Sequence, residues 1–342
     1  MFNDIYRGKR VLVTGHAGFC GSWLCLWLER LGAKVIKYGH APNTTPNHYT
    51  LLGNPVEPIG RLFADLLDKE RLAYTIQQHK PNLVIHLAAK AILTRAFHEP
   101  QETFENNIMG AVNILEISRQ CPDTMGVVVI TTDKIYADQK WTWGYRENDE
   151  MGGEDPYSAS KVCVEHVIQC YRKSFGMNIA VARAGNVIGG GDWSHGRLIP
   201  NAINATIRGE RVIAYTPNAT RPWQHVLEAL SGYLMLGQKI MEEVDVNKAW
   251  NFGPDEEMTV LELLQIAHDV WPEIRWEIDE TEVHPFMVYL LRIDSTNSKK
   301  MGWSLVWSIR ETVERAIRWY KVYYQDGLIN SDNDIHEYER RM

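Results

Sequence analysis

Long apolar runs are missing from these 342 residues. None approaches the ~20 residues of a membrane-spanning helix, so no membrane partner is expected. The first apolar stretch, Val11-Leu12-Val13, is also too short to read as a secretory leader. Cysteine is confined to Cys20, Cys25, Cys121, Cys163 and Cys170. An odd number without C-x-x-C spacing argues against a disulfide framework and against a zinc site. Reduced, mostly buried thiols in a cytoplasmic protein without a metal are expected instead. There is no basic block: 36 Lys and Arg against 43 Asp and Glu leave a net charge of −7. Nucleic acid is therefore not an expected partner, although local arginines could still hold an anion. No internal repeat or low-complexity segment is present. Core material is plentiful, with 45% hydrophobic residues. The length suits two domains, or one large α/β unit with a cap.

Residues 10–14 read as a buried parallel strand, which ends in Gly15-His16-Ala17-Gly18-Phe19-Cys20-Gly21. A helical pattern follows from Ser22, and Gly32 closes it before a second strand at 34–38. Strand, glycines, helix, strand is the dinucleotide-binding layout. The glycines let backbone approach a pyrophosphate, and the helix start offers free N–H groups. The acid expected about twenty residues on, to hold a ribose 2′-hydroxyl, is missing, because the second strand ends Lys37-Tyr38-Gly39-His40. The residues alone thus leave NAD or NADP open. Residues 41–60 read as loop, 65–80 as a helix with Asp65 near its start, and 82–89 as a buried strand. His86 within that strand reads as a satisfied core histidine. Residues 99–119 form an amphipathic helix and 126–132 the next strand.

Thr132, Asp133 and Lys134 then emerge at a strand's C-terminal edge, where open α/β sheets bind ligands. After a Trp-rich loop comes Asp155-Pro156-Tyr157-Ser158-Ala159-Ser160-Lys161. With Pro156 opening a helix, Tyr157 and Lys161 share one face. An ammonium beside a phenol is expected to lower the phenol's pKa and make Tyr157 an acid/base. A strand at 178–183 leads into glycines at 185, 189, 190 and 191, which suit close approach to a ligand. Helices are expected near 198–208, 226–241, 260–270 and 309–324, with a short strand at 211–215. The last dozen residues are charged and read as a frayed end.

Taken together, these residues resemble the extended short-chain dehydrogenase/reductase family, and within it the dehydratases of CDP-hexoses. The most specific pieces are Thr14-Gly15-His16-Ala17-Gly18-Phe19, Thr132-Asp133-Lys134, Tyr157-x-x-x-Lys161, the run from Arg183 to Trp193 and the run from Asn218 to Glu228. The resemblance covers residues 9–323. It implies a Rossmann-like, doubly wound, mostly parallel sheet of seven strands with a smaller C-terminal substrate-binding domain. The implied division is 1–185 with a return segment about 222–255 for NAD, then 186–221 and 256–330 for a nucleotide sugar, and 331–342 as a tail. The pattern departs from that subgroup at Ala17, Cys20, Lys90, Thr94, Pro285 and Phe286. The later departures bear on the substrate more than on the chemistry.

The resemblance implies NAD as cofactor, held by Gly15, Gly18, Phe19, Gly21, Asp65, Leu66, Leu87, Ala88, Ala89, Asn107, Tyr157 and Lys161. It implies dehydration of CDP-glucose to the 4-keto-6-deoxy sugar, for deoxysugar biosynthesis. In that scheme Tyr157 takes the 4-OH proton, Thr132 holds the same hydroxyl, Asp133 protonates the departing 6-OH and Lys134 removes H5. Asp133 must then stay protonated and Lys134 neutral, both away from their ordinary states. Arg197 and Arg221 are candidates for the diphosphate, Asn186 and His225 for further hydrogen bonds. Trp143, Trp193 and Trp223 are candidates for stacking on base or sugar. A homodimer packed through helices near 104–115 and 157–171 is also implied. Two other functions fit parts of the pattern. A C4 epimerase or 4-dehydrogenase needs Tyr157 and Lys161 but neither Asp133 nor Lys134. A non-catalytic NAD-binding protein needs none of the four.

Overall fold

The structure is a computed structural model that describes residues 2–54, 63–279 and 292–342. Alternating apolar residues build its centre. Strand Arg10–Thr14 lies between Lys34–Tyr38 and Leu83–His86, and the sheet continues through Gly126–Ile130 and Ile179–Ala184 to Ala249–Phe252. All five pairings are parallel. Successive side chains point to opposite faces of a strand. Leu12, Val84, Val127, Val129 and Val181 therefore face one way, onto Leu72, Ile114, Leu115, Val164 and Ile168. Val11, Val13, Leu83, Ile85, Val128 and Ala180 face the other way, onto Trp23, Trp27, Leu230 and Leu234. Helices thus cover both faces, as a doubly wound sheet requires. The described residues supply six strands where the resemblance implies seven. The strand order reverses between Arg10–Thr14 and Leu83–His86, which places a ligand crevice at their C-terminal ends.

Several elements differ in extent from the sequence expectation. The first helix runs Phe19–Arg30, starting directly after Gly18. The helix expected at 65–80 is Lys69–His79, because the Asp68 carboxylate accepts from the Arg71 N–H at 3.0 Å and caps it there. Asp65 consequently lies outside it. The stretch expected as loop at 41–60 contains a short helix, His48–Leu51, and residues 55–62 fall outside the described chain. The helix expected at 99–119 is three consecutive segments, Pro100–Phe104, a π-helical turn Glu105–Met109, and Gly110–Ser118. The π turn buries Asn106 and Asn107.

Past the sheet, Thr220–Arg221 pairs with Met258–Thr259, and Val212–Ala214 with Trp276–Ile278. Helices Leu198–Ile207, Val260–Val270 and Ile309–Asp326 join them. One continuous apolar cluster connects this region to the sheet. The expected frayed tail is instead a helix, Ser331–Arg341. Ile335 and Tyr338 are its fully buried apolar residues. The Tyr338 hydroxyl donates to Glu228 Oε2 at 2.6 Å, and Trp27 Nε1 donates to Glu339 Oε1 at 3.0 Å. Two apolar positions three apart anchor a stretch whose overall composition is polar.

Candidate active site

The glycine loop forms a cradle that no larger residue could form. Gly15 has φ +73°, and a Cβ there would stand 2.8 Å from the Ala88 backbone nitrogen. A Cβ at Gly21 would stand 2.0 Å from the Gly15 carbonyl oxygen. Gly15, Gly18, Phe19, Gly21, Leu66, Leu87, Ala88 and Ala89 line one cleft above this loop. Asp65 and Asn107 stand behind it. Asp65 Oδ1 accepts from the Leu67 N–H at 2.9 Å, and its other oxygen lies 3.3 Å from His40 Nε2. Asn107 Oδ1 accepts from the Lys90 N–H at 2.7 Å and its amide donates to Ser160 Oγ at 2.9 Å. Both fix the backbone that shapes the cleft. His40, at the expected end of the second strand, and Ala41 and Asn43, within the expected loop, also line it. No acidic residue is among those lining positions.

A second cavity, of about 440 Å³, shares Cys20, Leu87, Ala89, Ala91, Ile92 and Arg197 with the first. The two are one continuous cleft. Thr132, Asp133, Lys134, Tyr157, Lys161, Asn186, Arg197, Arg221 and Trp223 all line the second part. Local hydrogen bonds explain how they arrive there. Strand Gly126–Ile130 ends, and Thr132 caps the single turn Asp133–Ile135 by accepting from the Lys134 N–H at 3.3 Å. The same hydroxyl donates to Asp133 Oδ1 at 3.2 Å. Asp155 caps helix Pro156–Phe175 by accepting from the Ser158 N–H at 2.9 Å. Tyr157 and Lys161 follow one turn apart, and Lys161 Nζ donates to the Ile130 carbonyl at 3.0 Å.

Burial governs the charges here. It raises the Asp133 pKa and lowers that of Lys134, against the mutual attraction of the pair. Both shifts favour the neutral forms. Asp133 is 2% exposed, and its Oδ2 has no hydrogen-bond partner. Lys161 is pushed down to about 8 by burial, with Glu165 opposing. Tyr157 differs from the sequence expectation. Burial pushes its phenol up to about 12, while Thr132 and Arg197 pull it down. A buried Lys161 that is itself easily neutralised is a weak partner for a phenolate.

Arg197 Nη1 lies 3.3 Å from Asp192 Oδ2, and Arg221 donates to the Thr220 carbonyl at 2.7 Å. Asn186 holds φ +33°, a left-handed conformation that asparagine tolerates better than most residues. The Trp223 indole donates to the Met258 carbonyl at 3.2 Å. His225 is elsewhere. It is fully buried, its Nδ1 accepts from the Leu227 N–H at 3.3 Å, and its ring packs edge-on to Trp307 at 4.7 Å. It caps helix Val226–Met241 and is not among the residues lining the cleft. Trp193 is also a packing residue, edge-on to Trp319 and Tyr320. Trp143 is exposed and stacks on Trp141 at 5.2 Å. His86 is satisfied by the Thr14 hydroxyl at 2.7 Å. Lys90 Nζ meets Glu102 at 2.6 Å. Thr94 lies in an unanticipated short helix, Leu93–His98. Pro285 and Phe286 lie outside the described residues. The sequence reading missed Asp192 and Tyr233, which line the cleft. Tyr233 gave no signal because it sits in a helix that is apolar almost throughout.

A parallel sheet, a glycine cradle at its switch point and a Tyr-x-x-x-Lys helix at the strand ends define a short-chain dehydrogenase/reductase. The chain belongs to the NAD dependent epimerase/dehydratase family, whose model matches residues 11–253. It is 40% identical to the CDP-glucose 4,6-dehydratase of Salmonella typhimurium over 98% of this chain and 97% of that one. It is 26% identical to the dTDP-D-glucose 4,6-dehydratase of Dictyostelium discoideum, over 75% of this chain and 60% of that one. In fold it is similar to the UDP-glucose 4-epimerase of Thermotoga maritima, with TM-score 0.81 and 23% identity over 93% of this chain and all of that one. It is also similar to the dTDP-glucose 4,6-dehydratase of Bacillus anthracis in complex with NAD, with TM-score 0.75 and 19% identity over 92% and 97%. NAD is the family's cofactor, and the glycine loop at the start of helix Phe19–Arg30, packed so closely on backbone at Gly15 and Gly21 that neither tolerates a Cβ, suits its pyrophosphate.

Proposed function

We propose that this protein is a nucleotide-sugar 4,6-dehydratase that converts CDP-glucose to CDP-4-keto-6-deoxyglucose and water. One observation carries the reading. Asp133 and Lys134 line the cleft beside Thr132 and Tyr157, and burial drives the acid toward its protonated form and the amine toward its neutral form. These are the states that an acid and a base for elimination require. CDP-glucose as substrate is supported by the Salmonella relative.

Bound NAD would take hydride from C4 and return it to C6, and its positive ring would favour a Tyr157 phenolate. The chain's own groups move the protons. Tyr157 takes the proton of the 4-hydroxyl, which Thr132 holds. The resulting ketone acidifies H5; neutral Lys134 removes it and, as the ammonium so formed, returns a proton to C5 when C6 is reduced. Asp133 delivers its proton to O6, so that the oxygen leaves as water. Lys161 would hold the nicotinamide ribose, and the glycine loop the pyrophosphate. Arg197 and Arg221, which both line the cavity, would hold the substrate diphosphate.

The Asp133→Asn, Lys134→Met double variant tests the reading. It should retain oxidation at C4, so reduced nicotinamide accumulates with CDP-glucose, while no water is lost. A double variant that still forms the dehydrated product would contradict it. Conversion of the sugar nucleotide to an isomer of unchanged mass by the unaltered protein would favour a C4 epimerase. We further read the protein as a cytoplasmic homodimer. Five unpaired cysteines support the compartment. The exposed Met109, within the expected 104–115 segment, and Phe175, at the C-terminal end of the helix that carries the expected 157–171 segment, support the dimer.

A further inference from the structure

Helix Val226–Met241 lies almost wholly under the sheet, and Tyr233 is the residue it supplies to the described lining of the cleft. The ring packs edge-on to Phe252, with centroids 6.3 Å apart, so its body belongs to the core. The residue is 3% exposed. Among the described residues its hydroxyl has no hydrogen-bond partner. The groups whose charges it feels are Cys20, Tyr157 and Asp133. Asp133 lines the same cavity, with its Oδ2 packed against Gly185 and without a partner among the described residues. Buried polar groups are rarely left unpaired. A nearly buried phenol on the cavity wall with no partner among the described residues calls for a ligand atom.

We propose that Tyr233 is a further catalytic residue, whose phenol donates a hydrogen bond to O6 of the hexose as Asp133 protonates that oxygen. The assignment rests on the dehydratase reading above. Tyr157 acts at C4 and Asp133 at C6, so a group flanked by both faces the C4–C6 edge of the sugar. Burial keeps the phenol protonated at neutral pH, so it serves as a donor and keeps its own proton. The proton that leaves with O6 comes from Asp133 alone.

The test is Tyr233→Phe, which removes the hydroxyl and keeps the ring. Turnover of CDP-glucose should fall by about 10²-fold, in the range of a lost donor to a charge-developing oxygen. Reduced nicotinamide should build up transiently, because C4 oxidation outpaces elimination. Affinity for NAD and the melting temperature should not fall, since no bond within the protein is lost. Turnover equal to that of the unaltered protein would overturn the assignment. So would a loss confined to NAD affinity, which would place the hydroxyl on the cofactor. Tyr233→Leu gives the same comparison if the phenylalanine variant does not fold. The unaltered protein serves as the control. If it removes no water from CDP-glucose, the dehydratase reading fails; if both proteins dehydrate equally, only the role of Tyr233 fails.

Discussion

Asp133 keeps its carboxyl in the cleft because residue 185 has no side chain. A Cβ at Gly185 would stand 1.8 Å from Asp133 Oδ2. Gly185→Ala must therefore push the carboxyl aside, and a misplacement of this size costs about 10²-fold in rate. We expect that loss in steady-state turnover, with the circular-dichroism spectrum unchanged; full activity would show that Asp133 does not need its observed position. At this scale the sequence was readable where chemistry is local. Thr132-Asp133-Lys134 and Tyr157-x-x-x-Lys161 are fixed by a strand end and one helical turn, and they meet in the cleft. Their protonation was only half readable. Burial is a tertiary property, and it shifts Asp133 and Lys134 in the directions the proposed elimination needs but pushes Tyr157 upward. His225 stood in a distinctive motif, yet the motif's job at that position is to cap a helix.

Among elements, the C-terminal helix Ser331–Arg341 was the least readable, since its charged surface hides two buried apolar residues. Its hold on the fold runs through Glu228, which accepts from the Tyr338 hydroxyl at 2.6 Å and from the Trp307 N–H at 2.8 Å. Tyr338→Phe should cost about 1–3 kcal/mol of stability, as for a buried acceptor that loses its donor. Urea unfolding reads this directly, and an unchanged midpoint would rule out the clasp. Burial raises Glu228 to about 7 from its ordinary 4.5. A raised carboxyl favours the protonated fold, so its contribution is complete below the unfolded value and is lost as pH rises through about 7. The melting temperature should thus decline from about pH 5 to about pH 8. Glu228→Gln should flatten that decline, and an identical slope in the variant would assign it to other groups. The π turn at Glu105–Met109 was equally hidden, because one extra residue in a helical turn leaves the apolar periodicity nearly intact.

For the whole molecule, the doubly wound sheet was legible because apolar strands alternate with amphipathic helices. A single apolar cluster spans the sheet and the region beyond it. The exposed apolar side chains Met109 and Phe175 on the helical faces beside the sheet lead to an assembly prediction. Sedimentation should give twice the 39.3 kDa chain mass, and Phe175→Glu should shift the equilibrium toward the monomer; a concentration-independent monomer would contradict the dimer. The proposed reaction turns on the fate of one hydrogen. CDP-glucose carrying deuterium at C4 should be incubated with protein and NAD, and the sugar nucleotide analysed by mass spectrometry and NMR. The account predicts a product lighter by one water, with the deuterium at C6 and no net reduced NAD. A sugar nucleotide that keeps all its oxygen, or one that loses the label, would contradict it.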